Sequence, residues 1–167
     1  MGRLKEGLRR AAWLFMALLF LVTTVAVVAI YFLQDSSQQV QTQNQLKGKP
    51  MPDFTPVNEV IELQKIDQKI GDGEAVKADS TVTVVYTGAV AATGIVFESS
   101  SDTGQPATFP LKEVIKGWTE GLVGMKIGGQ RRLLIPADMA YGANPRPGSG
   151  IPPNADLVFD ITLLQIK

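Results

Sequence analysis

The stretch Thr81-Val82-Thr83-Val84-Val85-Tyr86-Thr87 alternates apolar and polar side chains around a short apolar centre. Because successive side chains of a strand point to opposite faces of a sheet, this pattern predicts a strand with one buried face. The same alternation returns near the C-terminus, and two other runs complete the set of predicted strands. These further strands are predicted at residues 62–70, at residues 132–135, where Pro136 ends the run, and at residues 157–163.

A short helix is predicted between these strands. Val114, Ile115, Trp118 and Leu122 recur at helical spacing and give the segment one apolar face. One helix among five or six mostly antiparallel strands predicts the α+β class, with a curved sheet wrapped around the helix.

Six short motifs within residues 84–160 add a second signal. They are Val84-Val85-Tyr86-Thr87-Gly88, Val96-Phe97-Glu98-Ser99-Ser100, Val114-Ile115-Lys116-Gly117-Trp118, Ala140-Tyr141-Gly142, Ile151-Pro152-Pro153 and Leu157-Val158-Phe159-Asp160. In this order and with these gaps they resemble the FKBP family of macrolide-binding peptidyl-prolyl isomerases, over residues 59–167. The resemblance implies an FKBP-like fold and a peptidyl-prolyl cis-trans isomerase that acts on proline-containing polypeptides.

The resemblance also assigns roles to individual residues. Trp118 is expected to form the floor of a pocket under the prolyl ring, and the Ile115 backbone N–H and Tyr141 hydroxyl are expected to donate hydrogen bonds to carbonyl groups. The catalytic group implied by the motifs is Tyr86, Phe97, Glu98, Trp118, Tyr141 and Phe159, and the substrate-binding group is Val114, Ile115 and Ile151. From composition alone, most of the apolar members are explained about as well as ordinary core residues.

Three departures from the family pattern concern the rim of this pocket. Glu98 stands where the family usually has Asp, and Ala107 stands where many members carry an aromatic residue. The connection from Phe109 to Val114 is also shorter than usual for the family, by about two residues. We expect a more open rim, and therefore weaker binding of macrolide inhibitors than in typical members. Residues 143–150, rich in turn-forming residues, are expected to overhang the pocket.

The composition excludes several other kinds of chemistry. The chain has no Cys and no His, so it has no thiol nucleophile, no Ser-His-Asp triad, no disulfide and no zinc site built on thiolate or imidazole. Isomerisation about a peptide bond breaks no bond, although rotation has a barrier of about 18–20 kcal/mol. It needs no nucleophile, so we expect no cofactor and no metal ion.

Residues 11–33 are uncharged and predict a transmembrane segment. A helix of this length extends roughly 35 Å, enough to cross a hydrocarbon core of about 30 Å. Four basic residues and one acidic residue precede it, whereas twelve basic and fifteen acidic residues follow it. The positive-inside rule therefore predicts a cytoplasmic basic tip at residues 1–10 and an exported C-terminal part, periplasmic in a bacterium. The alternative is a signal peptide cleaved near residues 27–29.

The rest of the chain divides into a tether and a domain. Residues 34–58 are rich in Gln and Pro and poor in apolar groups, which predicts a flexible tether before the isomerase domain at residues 59–167. The acidic balance of the exported part argues against a nucleic-acid partner. Arg131 and Arg132 are predicted to lie on solvated strand faces, and Gly117-x-x-x-Gly121 matches a membrane-dimer pattern outside the membrane segment.

Two other functions are compatible with parts of the sequence. An FKBP-like binding or chaperone module with little or no isomerase activity is favoured by Glu98 and Ala107. A serine hydrolase would pair Ser99 or Ser101 with Lys112, but no local motif supports that pairing.

Overall fold

The computed structural model describes residues 46–167. The predicted basic tip, the predicted transmembrane segment at residues 11–33 and the first part of the predicted tether lie outside this range. Within residues 46–167, no helix has both the length and the apolar character needed to cross a bilayer.

One antiparallel sheet organises the described residues, as the alternating pattern predicted. Its neighbouring strands follow the order β1-β5-β6-β2-β3, and β4 pairs with β2. The strands are β1 (Gln64–Lys69), β2 (Thr81–Val90), β3 (Val96–Ser99), β4 (Ala107–Pro110), β5 (Gln130–Ile135) and β6 (Leu157–Ile166). Since β6 covers one edge of β2, β3 and β4 share the other edge, β4 beside Thr81–Val84 and β3 beside Thr87–Ala89.

A single short α-helix, among the residues described, packs against one face of this sheet. This helix, α1, spans Lys116–Gly121 and lies between β4 and β5 in the chain. Its Trp118 and the following Leu122 join a buried apolar cluster with side chains of β2, β5 and β6. The predicted α+β class, with a curved antiparallel sheet and one short helix, is confirmed. Three 3-10 turns, at Ser100–Asp102, Leu111–Glu113 and Ala137–Met139, complete the connections.

Two glycines allow α1 to approach the sheet closely. A methyl group at Gly117 would lie less than 3 Å from three side-chain atoms of Ile135, and one at Gly121 less than 3 Å from two atoms of Leu133. Both partners are on β5 and are fully buried. The Gly117-x-x-x-Gly121 pattern therefore serves helix–sheet packing inside the domain.

Arg131 joins the C-terminal end of α1 to the edge strand β1. Its guanidinium donates to both carboxylate oxygens of Asp67, at 2.7 and 3.1 Å, and to the carbonyl oxygen of Gly121 at 2.8 Å. The Arg131 residue is buried. The prediction that it lies on a solvated strand face is wrong, because a helix carbonyl and a carboxylate supply the partners that water would otherwise provide.

Residues 46–60 pack on the opposite face of the sheet. Met51 and Val60 are buried there against Leu134 and Val158, and Phe54 and Val57 pack beside them. Residues 46–58 therefore do not belong to a free tether, although the sequence assigned them to one. Their apolar side chains recur at every third position, at residues 51, 54, 57 and 60, between prolines. That period fits an extended segment that buries one side, a pattern that tests for helices and strands do not detect.

Arg132 fastens this segment to the sheet. Its guanidinium donates two hydrogen bonds of 2.7 Å to the Asp160 carboxylate and one of 2.7 Å to the carbonyl oxygen of Asp53. It also lies over the Phe54 ring, 5.4 Å from the ring centroid. Its predicted exposure to solvent is likewise wrong, because the segment containing Phe54 covers this face of β5.

We predict that Gly117→Ala lowers the free energy of unfolding by about 1–3 kcal/mol, the usual effect of overpacking a core. Alanine stabilises a helix relative to glycine by about 1 kcal/mol. A destabilised variant would therefore show that the contact with Ile135 outweighs helix propensity. Denaturant unfolding of the Gly117→Ala and Lys116→Ala variants measures this, since the Lys116 side chain is exposed on the same helix. A stabilised Gly117→Ala variant would contradict the close approach.

A second prediction concerns pH. The hydrogen bond from Arg131 holds the pKa of Asp67 below its ordinary value of 3.8. The pair therefore stabilises the fold above that pH, and its contribution disappears as the pH falls through the lowered pKa. We expect Asp67→Asn to lower the free energy of unfolding by about 1 kcal/mol at neutral pH, because the carboxylate is partly exposed. The difference from wild type should shrink as the pH falls below 3.8 and through the lowered pKa.

The matched control for this measurement is Asp79→Asn. Asp79 is exposed in a turn and forms no ion pair within residues 46–167. Its substitution removes one carboxylate without removing an ion pair, so it shows the effect of the change in net charge alone. An Asp67→Asn difference that persists undiminished at acid pH would show that the ion pair with Arg131 is not its cause.

Candidate functional site

Three aromatic rings meet the ring of Trp118 edge to face. The Trp118 ring lies 5.3 Å from Tyr86, 5.7 Å from Phe109 and 5.4 Å from Phe159, with interplanar angles close to 90°. These side chains come from α1, β2, β4 and β6 respectively. Edge-to-face pairs contribute roughly 0.5–1.5 kcal/mol each beyond their buried area. Trp118, only 4% exposed, is thus held in one orientation by rings on three strands.

Phe97 extends this aromatic cluster towards the surface. Its ring lies 5.7 Å from that of Phe159 at an interplanar angle of 85°. Both rings pack over Gly88, where a methyl group would lie less than 3 Å from each of them. The absence of a side chain at Gly88 on β2 therefore lets the rings from β3 and β6 meet.

A cavity of about 250 Å³ opens beside Phe97. Apolar and polar groups share its lining. The lining residues are Lys47, Phe97, Glu98, Tyr141, Arg146, Pro147, Gly148, Ser149 and Ile151. Tyr141 remains 42% exposed, so its ring stands at the mouth of the cavity.

Glu98 links the cavity to the aromatic cluster electrostatically. Burial, followed by the nearby Glu98 carboxylate and a hydrogen bond to it, raises the pKa of Tyr86 well above its ordinary value of 10. Burial and then Glu98 also raise the pKa of Tyr141. Both hydroxyl groups therefore stay protonated at neutral pH and remain hydrogen-bond donors.

Two serines hold the end of β3 against β2. The Ser100 hydroxyl accepts a hydrogen bond of 2.9 Å from the Tyr86 backbone N–H, and the Ser99 hydroxyl lies 2.9 Å from that of Thr87. These contacts fix the strand that carries Phe97 and Glu98. No hydrogen bond or ion pair in the described part of the chain joins Ser99 or Ser101 to Lys112, the pairing that a serine hydrolase would require.

Two donors near the aromatic cluster have no partner among residues 46–167. Within residues 46–167, the buried Trp118 Nε1–H forms no hydrogen bond. The backbone N–H of Ile115, at the start of α1, forms none among the same residues. Val114 and Ile115 are half-buried and pack against the core cluster that includes Trp118. The Ile115 N–H therefore has no partner within residues 46–167, and its expected role as a donor to a bound carbonyl group stays a prediction.

The structure divides the nine predicted site residues into three neighbouring groups. Four of them line the cavity, namely Phe97, Glu98, Tyr141 and Ile151. Three form the ring cluster beneath, namely Tyr86, Trp118 and Phe159. The other two, Val114 and Ile115, lie at the start of α1. Phe97 belongs to the cavity and packs on the cluster, so it connects these groups.

The sequence did not identify three residues of the site, namely Phe109, Arg146 and Lys47. Phe109 packs on Trp118 from β4, while Ala107, two positions earlier on that strand, is half-buried. Arg146 lies in the loop that was expected to overhang the pocket, and four residues of that loop do line the cavity. Lys47 had no signal, because it precedes the motifs and falls in the presumed tether. No group of three or more His, Cys, Asp or Glu side chains placed to hold a metal ion occurs in residues 46–167.

Comparison with known proteins gives consistent matches. A family model described as FKBP-type peptidyl-prolyl cis-trans isomerase matches residues 72–164. FK506-binding protein 4 of Aspergillus fumigatus is 40% identical over 140 residues, 83% of this chain and 28% of that protein. The FKBP-type peptidyl-prolyl cis-trans isomerase FkpA of Aeromonas hydrophila is 47% identical over 106 residues, 63% of this chain and 38% of that protein.

A solved structure agrees with these sequence matches. The crystal structure of FkpA from Escherichia coli has a TM-score of 0.60 and 38% identity, over 80% of this chain and 64% of that one. The chain spans less than two fifths of the length of either curated relative.

Proposed function

The chain belongs to the FKBP-type peptidyl-prolyl cis-trans isomerase family, and we propose that it accelerates isomerisation of the peptide bond before proline in exported polypeptides near a membrane. The observation that carries the catalytic part is the cavity of about 250 Å³ beside the aromatic cluster of Tyr86, Trp118 and Phe159. The membrane part rests on the uncharged segment at residues 11–33.

A pocket of this composition suits a reaction that breaks no bond. The planar peptide bond owes its barrier of about 18–20 kcal/mol to resonance, which separates charge between oxygen and nitrogen. Water solvates that charge separation, whereas a surface formed by Phe97 and Ile151 does not. An apolar pocket that fits the twisted bond therefore binds it better than the planar bond, and this differential binding lowers the barrier.

Hydrogen-bond donors around the cavity position the substrate chain. Tyr141 stands at the cavity mouth and keeps its proton at neutral pH, because burial and Glu98 raise the pKa of its hydroxyl. The Ile115 N–H forms no hydrogen bond with any residue of the described range. We assign both groups to carbonyl oxygens of the polypeptide on either side of the twisting bond.

Glu98 and Ala107 concern two questions, namely how strongly macrolide inhibitors bind and whether the domain is an isomerase or a binding module. We propose that Ala107, half-buried on β4, leaves the rim more open and weakens macrolide binding. The same openness is what would favour a binding or chaperone module with little catalysis. The aromatic cluster favours the isomerase, because Phe109 from the same strand packs on Trp118 and keeps the base of the site complete.

We predict that the full chain in mild detergent accelerates isomerisation of an Xaa-Pro peptide, and that Trp118→Leu and Tyr141→Phe reduce kcat/KM. A loss of roughly tenfold or more is expected, since each tenfold corresponds to about 1.4 kcal/mol of transition-state binding. NMR exchange spectroscopy on the proton signals of the cis and trans isomers measures the rate without a coupled protease.

The matched control for these variants is Phe54→Leu, which alters an aromatic side chain on the opposite face of the sheet. Its kcat/KM should stay near that of wild type. If folded wild-type protein binds the peptide without accelerating the exchange, the binding-module alternative replaces the isomerase. If all three variants lose activity equally, general destabilisation is the cause.

We further predict that the full chain stays in the membrane fraction after washing with high salt and then with alkali. A transmembrane helix resists both treatments, whereas a peripheral protein is released. Deletion of residues 1–33 should move the protein into the soluble fraction. Release of the intact chain by alkali would refute the anchor, and release of a form shortened by about thirty residues would indicate cleavage as in a signal peptide.

A further inference from the structure

We propose that residues 46–49 form part of the binding site, and that Lys47 together with Arg146 selects polypeptides with an acidic residue next to the proline. The proposal rests on the isomerase function proposed above and names a preference within it. Lys47 lies outside residues 72–164, the region that the family model matches. None of the six motifs of the domain includes Lys47.

The backbone of residues 48–51 extends the sheet beyond β3. Gly48 N–H donates to Val96 at 2.8 Å, Val96 N–H donates to the carbonyl oxygen of Lys49 at 2.9 Å, and Met51 N–H donates to Gly94 at 2.8 Å. This segment thus covers the free edge of the strand that carries Phe97 and Glu98. Backbone hydrogen bonds of the folded domain therefore hold this segment beside the site.

The position of Lys47 is also fixed from the other side. The Asp102 carboxylate accepts hydrogen bonds from the backbone N–H of Leu46 at 2.6 Å and of Lys47 at 3.0 Å. Asp102 ends the 3-10 turn that follows β3. With Met51 buried on the opposite face of the sheet, the backbone on both sides of Lys47 is held in place, and Lys47 lines the cavity.

The charges around the cavity favour an anionic partner. Lys47 and Arg146 line it as cations, and neither forms an ion pair with a residue in the range 46–167. Glu98 is the single carboxylate in the lining, and it already interacts with the Tyr86 hydroxyl. An acidic side chain beside the proline would meet two unpaired cations, whereas a basic side chain would be repelled.

The test compares peptides that differ only next to the proline. Glu, Gln or Lys is placed before the proline in one series and after it in another, and kcat/KM is measured by exchange NMR with the full chain. We expect the Glu peptide of at least one series to exceed its Lys counterpart by roughly three- to tenfold, a range typical of exposed charge pairs acting together. The ratio should fall when the salt concentration is raised to about 0.5 M, since the charges are exposed to screening.

Charge-reversal variants assign the preference to these residues. Lys47→Glu combined with Arg146→Glu should abolish the preference for Glu or invert it, as measured by the ratio of kcat/KM for the Glu and Lys peptides within each series. Lys126→Glu with Lys69→Glu is the control. It makes the same change in net charge at two exposed lysines that do not line the cavity.

The outcomes separate this proposal from the proposed function. Equal kcat/KM for Glu and Lys peptides, or a preference that survives the double reversal, overturns the role of Lys47 and Arg146 and leaves the isomerase intact. If no peptide is accelerated, the isomerase assignment fails, and calorimetric dissociation constants for the same peptides then decide the charge preference. Equal constants for Glu and Lys peptides would overturn it in that case.

Discussion

The close approach of α1 to β5 is the contact on which the rest of the domain depends. Gly117 and Gly121 leave no room for a methyl group against Ile135 and Leu133, so the helix lies directly on the sheet. This position brings Trp118 into the plane where rings from three strands meet. Because edge-to-face contacts depend strongly on distance and angle, a small displacement of the helix would disturb every ring pair at the base of the site.

Two consecutive arginines then secure the two faces of the sheet. Arg131 points to the helix side, where it binds a carbonyl oxygen at the end of α1 and the Asp67 carboxylate of β1. Arg132 points to the other side, where it binds Asp160 and the carbonyl oxygen of Asp53. The alternation of a strand thus allows adjacent identical residues to hold different parts of the chain. Each planar guanidinium satisfies several fixed acceptors at once, which a lysine could not do in the same geometry.

The site combines an apolar base with a charged rim, and the two parts suit different tasks. Rings and aliphatic side chains provide the dry surface that a twisting peptide bond requires, without any group that changes charge near neutral pH. The rim contains the cations Lys47 and Arg146 together with Glu98, and in the proposed function it meets the residues that flank the proline. In the proposed function, the apolar base therefore determines the isomerisation rate, and the charged rim determines the preference for residues next to proline. The rim residue Lys47 comes from the segment that also covers the opposite face of the sheet.

Four of the six strands, β1, β2, β5 and β6, follow from the sequence alone, as do the short helix and the six motifs, because hydrophobic periodicity and glycine placement are local properties that tertiary packing did not override. The four-residue strands β3 and β4 are too short to give such a pattern. The sequence also predicted nine site residues that the structure brings into adjoining groups. The packing of residues 46–58 on the sheet is seen only in the folded domain, since one apolar side chain in three forms neither a helical nor a strand pattern. The same holds for Arg131, Arg132 and Lys47. The partners of Arg131 and Arg132 are 8 to 79 residues away in the chain. Lys47 reaches the cavity because its segment pairs with a distant strand, which no local pattern records.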